Sequence, residues 1–381
     1  MFRIVITAAV LMMGAPAHAA PKDELAAGQP THVTWYARGG PKQQGRVEAV
    51  VGKKPKIRWS FKTGGAVNSS AALDAVHAYV GSDDGQVYAL HRTTGERVWS
   101  VQTNAPVTAS PVLVDGLVIV GSTDGHMYAL TASTGALQWK VSTGDKIVAA
   151  ATPLEVGGVP AVLMGGGDGW VQALRLKDGV PLWQYKTDSY IFGSAAIVSG
   201  TVVLGGCDGF VYVLKQDDGT LVRRVSIGPY VGSSVAVSGS RAFFGHFGNR
   251  VAGVDVSSGE FVWHTPDSGF PFLSSAALGK DTLFVGSRGR KLYALSQEDG
   301  HEVWHFEALA RIDGSPVIFG DAVLFGAGDG RLYQLSQSDG ALQWRMDLGA
   351  EITATPAAQQ QWIVVGTHDG TVYGIETRTK L

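Results

Sequence analysis

A glycine followed four residues later by a large side chain recurs along this chain and restricts the folds available to it. The large residue is a tryptophan in all copies but one, where Arg224 or its neighbour takes the place. These residues follow one another every 39 to 44 positions from Trp59 to Trp344. Such a period is typical of β-propeller blades, in which each repeat buries its apolar face against the next. The copies are 94–99, 134–139, 178–183, 218–223, 258–263, 299–304 and 339–344.

One repeat, residues 110–143, shows how a single blade is built. Uninterrupted apolar runs predict buried inner strands, and polar–apolar alternation predicts a half-exposed outer strand. Asp124-Gly125 separates the second and third strands as a hairpin signal suited to a type I′ turn. Four antiparallel strands per repeat form one propeller blade. The predicted strands are 110–114, 117–120, 126–130 and 137–141.

The two ends of the chain complete each other. Seven full copies run from about residue 69 to residue 348, and an eighth starts at Thr353 without an outer strand. The segment 57–61 has the character of that missing strand, and pairing it there removes two exposed sheet edges. We therefore predict an all-β fold over 57–381, an eight-bladed β-propeller of four-stranded antiparallel blades closed by an N-terminal strand.

The repeated tryptophans have a predicted structural role. A flat ring on each outer strand can lie over the glycine turn of the next blade and bury about 150–250 Å². Because all copies share this residue, we interpret the rings as core rather than as a ligand surface. The docking tryptophans are Trp59, Trp99, Trp139, Trp183, Trp263, Trp304 and Trp344.

The N-terminal residues are expected to act in export. Arg3, an apolar run and Ala17-His18-Ala19 are typical of a cleavable signal peptide over 1–20, followed by an arm over 21–56. The apolar run is shorter than the ~20 residues that span a bilayer, so no direct membrane span is expected. No cysteine stands at the cleavage point for lipid attachment, because the single cysteine is Cys207, which we interpret as a small buried filler. These features favour a periplasmic location.

The repeat resembles a known family. Tyr-Ala-Leu-x-x-x-Thr-Gly-x-x-x-Trp, at 88–99 and 128–139, is similar to the tryptophan-docking repeat of pyrroloquinoline-quinone propellers, and 35–40 is similar to the arm that often precedes them. Two branches of this family bear on function. Quinoprotein alcohol dehydrogenases are much longer and carry adjacent cysteines over the cofactor and an acidic calcium site. The propeller subunit of the outer-membrane protein assembly machinery, BamB, is similar in length and lacks catalysis, but carries a lipid-anchoring cysteine that is absent here.

The repeat pattern changes in blades five and six. Six repeats carry Asp-Gly in the hairpin turn, which we interpret as structural, whereas Gly248-Asn249 and Gly289-Arg290 are glycine-first turns suited to type II′. Links between blades in this sector carry aromatic or basic residues where other links carry small ones.

Aromatic residues together with arginine are typical of binding hot spots. We predict that blades four to seven bind an acidic peptide, loop or small anion on one face; the alternative is ordinary blade variation, with the aromatic rings filling the channel. The predicted partner-binding residues are Tyr190, Phe192, Tyr230, His246, Arg250, Phe270, Phe272, Arg288, Arg290 and Arg311.

The residue pattern favours binding over catalysis. A net charge of −2 argues against nucleic-acid binding, and we find no nucleophile–histidine–acid order, Walker loop or clustered metal-ligand spacing. We expect a monomeric, non-catalytic scaffold that binds other envelope proteins, with an outer-membrane assembly complex as candidate partner and no cofactor. The alternative is an oxidoreductase that binds pyrroloquinoline quinone with calcium, and a carbohydrate-binding propeller is a third possibility.

Overall fold

The computed structural model describes residues 33–35, 38–47, 52 and 54–378. All regular structure in these ranges is β-strand, arranged as eight antiparallel sheets, which confirms the predicted eight-bladed propeller. The predicted signal peptide at 1–20 lies outside the described residues. Nothing within the described ranges is a helix long and apolar enough to cross a membrane.

Blades 1 to 7 each contain four strands that follow one another in the chain. The strands of blades 1 to 4 are β3 (Ala72–Leu73), β4 (His77–Gly81), β5 (Gln86–His91), β6 (Arg97–Gln102), β7 (Val112–Val114), β8 (Leu117–Gly121), β9 (His126–Thr131), β10 (Leu137–Ser142), β11 (Thr152–Val156), β12 (Val159–Gly165), β13 (Trp170–Arg175), β14 (Pro181–Lys186), β15 (Ala196–Val198), β16 (Thr201–Gly205), β17 (Phe210–Lys215) and β18 (Leu221–Ser226). Those of blades 5 to 7 are β19 (Ala236–Ser238), β20 (Arg241–His246), β21 (Arg250–Asp255), β22 (Glu260–His264), β23 (Ala277–Leu278), β24 (Thr282–Gly286), β25 (Lys291–Ser296), β26 (Glu302–Glu307), β27 (Val317–Phe319), β28 (Ala322–Gly326), β29 (Arg331–Ser336) and β30 (Leu342–Asp347).

Blade 8 is assembled from both ends of the chain. Its inner strands are β31 (Ala357–Gln359), β32 (Trp362–Gly366) and β33 (Thr371–Arg378), and its outer strand is β2 (Lys54–Lys62). The pairing of β2 with β33 runs from Lys54 opposite Arg378 to Lys62 opposite Thr371. The ring therefore closes as predicted, through a strand that begins three residues before the predicted 57. A further strand, β1 (Val33–Trp35), extends the sheet of blade 2 beside β7.

The tryptophans join neighbouring blades as predicted. The indole N–H of Trp99 donates to the carbonyl of Ala132 at 2.9 Å, and its ring lies so close to Gly135 that a Cβ there would come within 2.8 Å of it. Trp344 is buried, but its N–H has no partner among the described residues. In blade 8 the third and fourth strands come from opposite ends of the chain, so no turn joins them to accept this N–H. The other indole donors and their acceptors are Trp59 to Arg92, Trp139 to Leu176, Trp183 to Gln216, Trp263 to Gln297 and Trp304 to Gln337.

Blade 4 uses an arginine in place of the tryptophan. Arg223 lies opposite Val213, as Trp183 lies opposite Ala173, and it donates to the carbonyl of Ser257 at 2.9 Å. The neighbouring Arg224 is not the substitute. Its guanidinium lies 3.6 Å from the ring centre of Phe210 and is paired with Asp188.

Part of the arm is built into the ring. Residues 41–47 cross the innermost strands of blades 4 to 7 and accept one backbone hydrogen bond from each, which caps strand edges that face the axis. The buried guanidinium of Arg38 donates to the carbonyl of Ala276 at 2.6 Å, and burial lowers the pKa of Arg38 to about 9. The four donor–acceptor pairs are Ile197 to Pro41, Val237 to Lys42, Leu278 to Gln44 and Ile318 to Gly45.

Candidate functional site

One face of the ring carries both the links between blades and the hairpin turns between the second and third strands; we call it the link face. An equivalent hydrogen bond in each of the eight blades aligns these two features, as in Thr123, whose N–H donates to the carbonyl of Pro106 at 2.9 Å. The first hairpin residue is the donor and the link residue is the acceptor. The other pairs are Asp83 to Ala66, Gly167 to Lys146, Cys207 to Tyr190, Phe247 to Tyr230, Arg288 to Pro271, Gly328 to Arg311 and His368 to Glu351.

The hairpin aspartates hold these parts together. The carboxylate of Asp124 accepts hydrogen bonds from the backbone N–H of His126, the backbone N–H of Asn104 and the hydroxyl of Tyr128. It thus ties its own hairpin, the third strand and the preceding link, which supports the structural interpretation of the Asp-Gly turns. The same three contacts are made by Asp84, Asp208 and Asp329.

The predicted turn types are wrong. In the Asp-Gly loops only the glycine has a positive φ, whereas a type I′ turn needs a positive φ at both central residues. The loop has three residues, and the third takes the left-handed conformation. In blades 5 and 6 that third residue is Asn249 (φ 58°) or Arg290 (φ 66°), and Gly248 and Gly289 occupy the middle position, so the turns are not glycine-first type II′.

The aspartate contact predicts a pH-dependent contribution to stability. Partial burial alone would raise the pKa of Asp124, but hydrogen bonds from Tyr128, Asn104 and His126 outweigh it and hold that pKa below its usual value. A lowered folded-state pKa stabilises the fold above the unfolded pKa of about 4, and this contribution is lost as the pH falls through the folded value. We expect Asp124→Asn to lower the free energy of unfolding by about 1–2 kcal/mol at pH 7 and by less near pH 3.

Urea unfolding at both pH values measures this difference. Asp321→Asn is the control, because that side chain is exposed. If Asp124→Asn lowered the free energy of unfolding by the same amount at pH 7 and pH 3, the stabilising role of the ionised Asp124 carboxylate would be contradicted.

Three of the four arginines predicted to attract an anion are paired with carboxylates of the chain. Arg288 donates to both carboxylate oxygens of Asp313, at 3.0 and 3.1 Å, and Arg290 lies 2.7 Å from Glu307. Arg311 pairs with Asp313 at 3.0 Å and also with Glu351. These contacts balance the positive charge of these three guanidinium groups. The fourth predicted arginine, Arg250, lies 3.0 Å from Nδ1 of His264 and has no carboxylate partner among the described residues.

Two predicted binding residues are buried and cannot form a surface. Phe272 is 2% exposed and packs over Gly245, in the position that smaller aliphatic residues such as Val107 take in other blades. His246 is 4% exposed, and its Nδ1 accepts the backbone N–H of Gly248. Burial lowers the pKa of His246, and Arg250 nearby lowers it further. These two side chains therefore contribute almost nothing to the exposed surface of the link face.

The exposed aromatic residues form the most distinctive surface on the link face. Tyr190, Tyr230 and Phe270 lie on three successive links and are 48%, 58% and 52% exposed. Phe192 stacks on Tyr190 with ring centres 5.7 Å apart. We call Tyr190, Phe192, Tyr230, Phe247 and Phe270 the aromatic patch.

Sequence reasoning missed two members of this surface. Phe247 is 47% exposed and packs edge-on against Tyr230, and Lys146 lies within 6 Å of the rings of Tyr190 and Phe192. An alignment of the first hairpin residue across repeats would have found Phe247, because no other blade has an aromatic residue there. Lys146 is the residue equivalent to Tyr190 on the preceding link.

The chain lacks one part of the residue pattern that accompanies the quinone cofactor in the dehydrogenases it resembles. The family pattern requires adjacent cysteines and an acidic metal site, whereas the chain has one cysteine. Cys207 is partly exposed at the blade 4 hairpin, and burial raises the pKa of its thiol. In the described part of the chain, no group of three or more His, Cys, Asp or Glu side chains could hold a metal ion.

Comparisons with known proteins agree with this fold. The family model described as "Outer membrane protein assembly factor BamB" matches residues 43–207 and 248–380. No curated protein sequence matches the chain.

Solved structures that share the fold include BamB, a designed protein and a quinohemoprotein alcohol dehydrogenase. BamB from Moraxella catarrhalis is 20% identical, with a TM-score of 0.70 over 85% of this chain and 100% of that one. The quinohemoprotein alcohol dehydrogenase from Comamonas testosteroni is 13% identical, with a TM-score of 0.76 over 92% of this chain and 82% of that one. The computationally designed Ika8 protein is 19% identical, with a TM-score of 0.72 over 83% and 98%. At these identities the likeness concerns the fold alone.

Proposed function

This chain belongs to the family described as outer membrane protein assembly factor BamB, and from that premise we propose that it is a non-catalytic periplasmic scaffold that binds other envelope proteins during outer-membrane assembly. The family description indicates outer-membrane protein assembly as the process, and the link face offers the surface that would bind the partner. The export segment expected at 1–20 would bring the chain to that compartment.

The aromatic patch is the observation that carries this proposal. Tyrosine and phenylalanine side chains that are about half exposed present apolar area to solvent, and exposed aromatic residues of this kind mark protein interaction sites. Four patch residues lie on links and Phe247 lies on a hairpin, and the backbone of each link is hydrogen-bonded to the adjacent hairpin, which restricts the motion of both. A rigid apolar surface loses little conformational entropy on binding, which favours affinity.

The rest of the link face is suited to form the polar edge of such an interface. Arg311, Asp313 and Glu351 form one connected group of charges. Asn68 donates to Asp83 at 3.0 Å and accepts from the hydroxyl of Thr353 at 2.7 Å. Interfaces commonly combine an aromatic centre with a polar rim, and the two halves of this face have that arrangement.

Replacing the patch should remove function without unfolding the protein. In cells that lack the chromosomal copy, we expect the variant Tyr190→Ser/Tyr230→Ser/Phe270→Ser to accumulate normally but to leave the amount of folded outer-membrane barrel proteins at the deletion level. Each such aromatic side chain contributes roughly 2 kcal/mol or more at a binding hot spot. Heat-modifiable migration of the barrel proteins on gels measures the outcome.

A matched control changes apolar residues of similar exposure elsewhere. Val76, Leu221 and Val303 are 46%, 41% and 48% exposed and lie away from the link face, so serine at all three should leave barrel assembly unchanged. Full complementation by the patch variant would refute the proposed surface. Stoichiometric uptake of pyrroloquinoline quinone with calcium, accompanied by dye reduction, would instead support the oxidoreductase alternative.

A further inference from the structure

A cleft of about 530 Å³ opens between blades 5 and 6, where β22 of one blade faces β25 and the turn before β26 of the other. Its floor contains the buried side chains of Phe272 and Leu295 and the ring of Tyr293. A cleft of this volume lies within the usual size range of small-ligand sites. It can hold one long side chain together with the backbone beside it.

The cleft exists because the outer strand of blade 5 ends early. Phe272 follows Trp263 by nine residues, whereas Val107 follows Trp99 by eight, and the extra residue falls beside Pro266. Proline has no N–H to continue the pairing with β21, and β22 stops at His264.

A polar residue then stands where most other blades have an apolar one. Thr265 is the second residue after Trp263, and its hydroxyl accepts the backbone N–H of Val251 instead of filling the space. The residues in the equivalent position elsewhere are Phe61, Val101, Val141, Tyr185, Val225, Phe306 and Met346.

Tyr293 lacks both contacts that the equivalent Tyr333 makes, and its ring lies instead 5.7 Å from that of Phe272 and 6.0 Å from the ammonium of Lys291. Tyr333 packs against Phe306 of the preceding blade at 5.5 Å and donates its hydroxyl to Asp329. At Tyr293 the preceding blade offers Thr265, and the hairpin offers Gly289 in place of the aspartate. Among the described residues, no hydrogen bond to the hydroxyl of Tyr293 is found, and the ring and hydroxyl line the cleft.

The rim of the cleft is acidic. Asp267, Asp299 and Glu302 line it together with His264 and His301. Hydrogen bonds from Ser296 and His301 lower the pKa of Asp299 to about 2, so it is ionised at neutral pH. Asp267 accepts the N–H of Gly269 at 2.8 Å within its own turn, and no other hydrogen bond to its carboxylate is found among the described residues.

We propose that this cleft binds a lysine or arginine side chain from an extended segment of a partner protein. Charge complementarity selects this occupant: the cation lies among Asp267, Asp299 and Glu302. The alkyl stem packs on Phe272 and Leu295, and the face of Tyr293 adds a cation–π contact. This site is separate from the aromatic patch and can be tested without the outer-membrane machinery.

Saturation-transfer NMR with blocked tripeptides and the full-length mature protein tests the proposal. We expect saturable binding of acetyl-Ala-Arg-Ala-amide and acetyl-Ala-Lys-Ala-amide in the millimolar range. Peptides with leucine or glutamate at the centre should bind at least about tenfold more weakly. The variant Asp267→Asn/Asp299→Asn/Glu302→Gln should weaken binding of the arginine peptide roughly tenfold, because it removes all three carboxylates that would face the cation.

Two further variants keep the test decisive. Asp281→Asn removes an exposed carboxylate of the same blade outside the cleft and should leave affinity unchanged. Tyr293→Leu preserves an apolar side chain but removes the ring, and should weaken binding about two- to fivefold. Equal binding of the leucine and arginine peptides, unchanged affinity in the triple variant, or no saturable binding up to about 10 mM would each overturn the proposal.

Discussion

Deleting residues 371–381 is expected to abolish cooperative folding of the propeller. The deletion removes β33, which pairs with β32 on one side and with β2 on the other. Val372 and Ile375, both fully buried, are lost with it. The ring would then be open, with an unpaired strand edge on each side of the gap. The free energy of unfolding should fall by more than about 5 kcal/mol, which is comparable with the whole stability of a typical domain.

Circular dichroism during thermal unfolding measures this effect. A synthetic peptide with the sequence of residues 371–378 is the matched rescue, because it supplies the missing strand in trans. It should restore a cooperative transition, whereas a scrambled peptide of the same composition should not. A truncated protein that melts cooperatively at the temperature of the full chain would contradict ring closure through β2 and β33.

Gly95→Val is expected to be the most damaging single substitution in blade 1. Gly95 has φ +75°, and a Cβ there would come within 2.6 Å of the ring of Trp59. The change therefore combines a strained backbone with displacement of the tryptophan that joins blades 8 and 1. Left-handed strain costs about 1–2 kcal/mol, and loss of a buried tryptophan contact costs about 3–5 kcal/mol. We therefore expect Gly95→Val to lower the free energy of unfolding, measured in urea, by about 5 kcal/mol in total.

Gly116→Val separates the two causes. Gly116 has nearly the same φ, +74°, but no atom lies within 4 Å of a Cβ built there. Gly116→Val should lower the free energy of unfolding only by the cost of the left-handed backbone, about 1–2 kcal/mol. If both variants were destabilised equally, the tryptophan contact would contribute nothing to the joining of the blades.

The ring could be predicted from the sequence because its determinants are local and repeated. Each docking tryptophan except Trp344 lies against a glycine in the next copy, so the spacing that reveals the repeat also reflects the contact. The split eighth copy predicted the pairing of β2 with β33 for the same reason. The sequence left open whether Arg223 or Arg224 replaces the tryptophan of blade 4. Adjacent side chains point to opposite faces of a strand, and only the structure shows which of the two faces the next blade.

The binding surface was harder to predict because exposure and charge depend on neighbouring blades. Arg288 looks free in the sequence, but its partner Asp313 is 25 residues further along the chain. Phe272 looks like its exposed neighbour Phe270, but the link places it over Gly245, where it is buried. The extra residue near Pro266, which shapes the cleft, is visible only after the repeats are aligned by their hydrogen bonds.

The conformation of the hairpin turns could not be predicted from the Asp-Gly pairs. Asp-Gly is compatible with more than one hairpin loop, and the sequence does not reveal which residue carries the positive φ. In the structure the aspartate holds three donors, a role that a type I′ turn does not explain. Its contact with the preceding link could not be inferred from one repeat, since it joins two blades.

The central claim is that the aromatic patch contacts a partner protein in the cell envelope, and site-specific photo-cross-linking in intact cells tests it most directly. A photoreactive phenylalanine analogue would replace Tyr230 or Phe247 in the patch and, as the control, Val76 away from the link face. We predict that the two patch positions form an adduct with a component of the outer-membrane assembly machinery and that position 76 does not. An equally strong adduct at position 76, or none at the patch positions, would contradict the account.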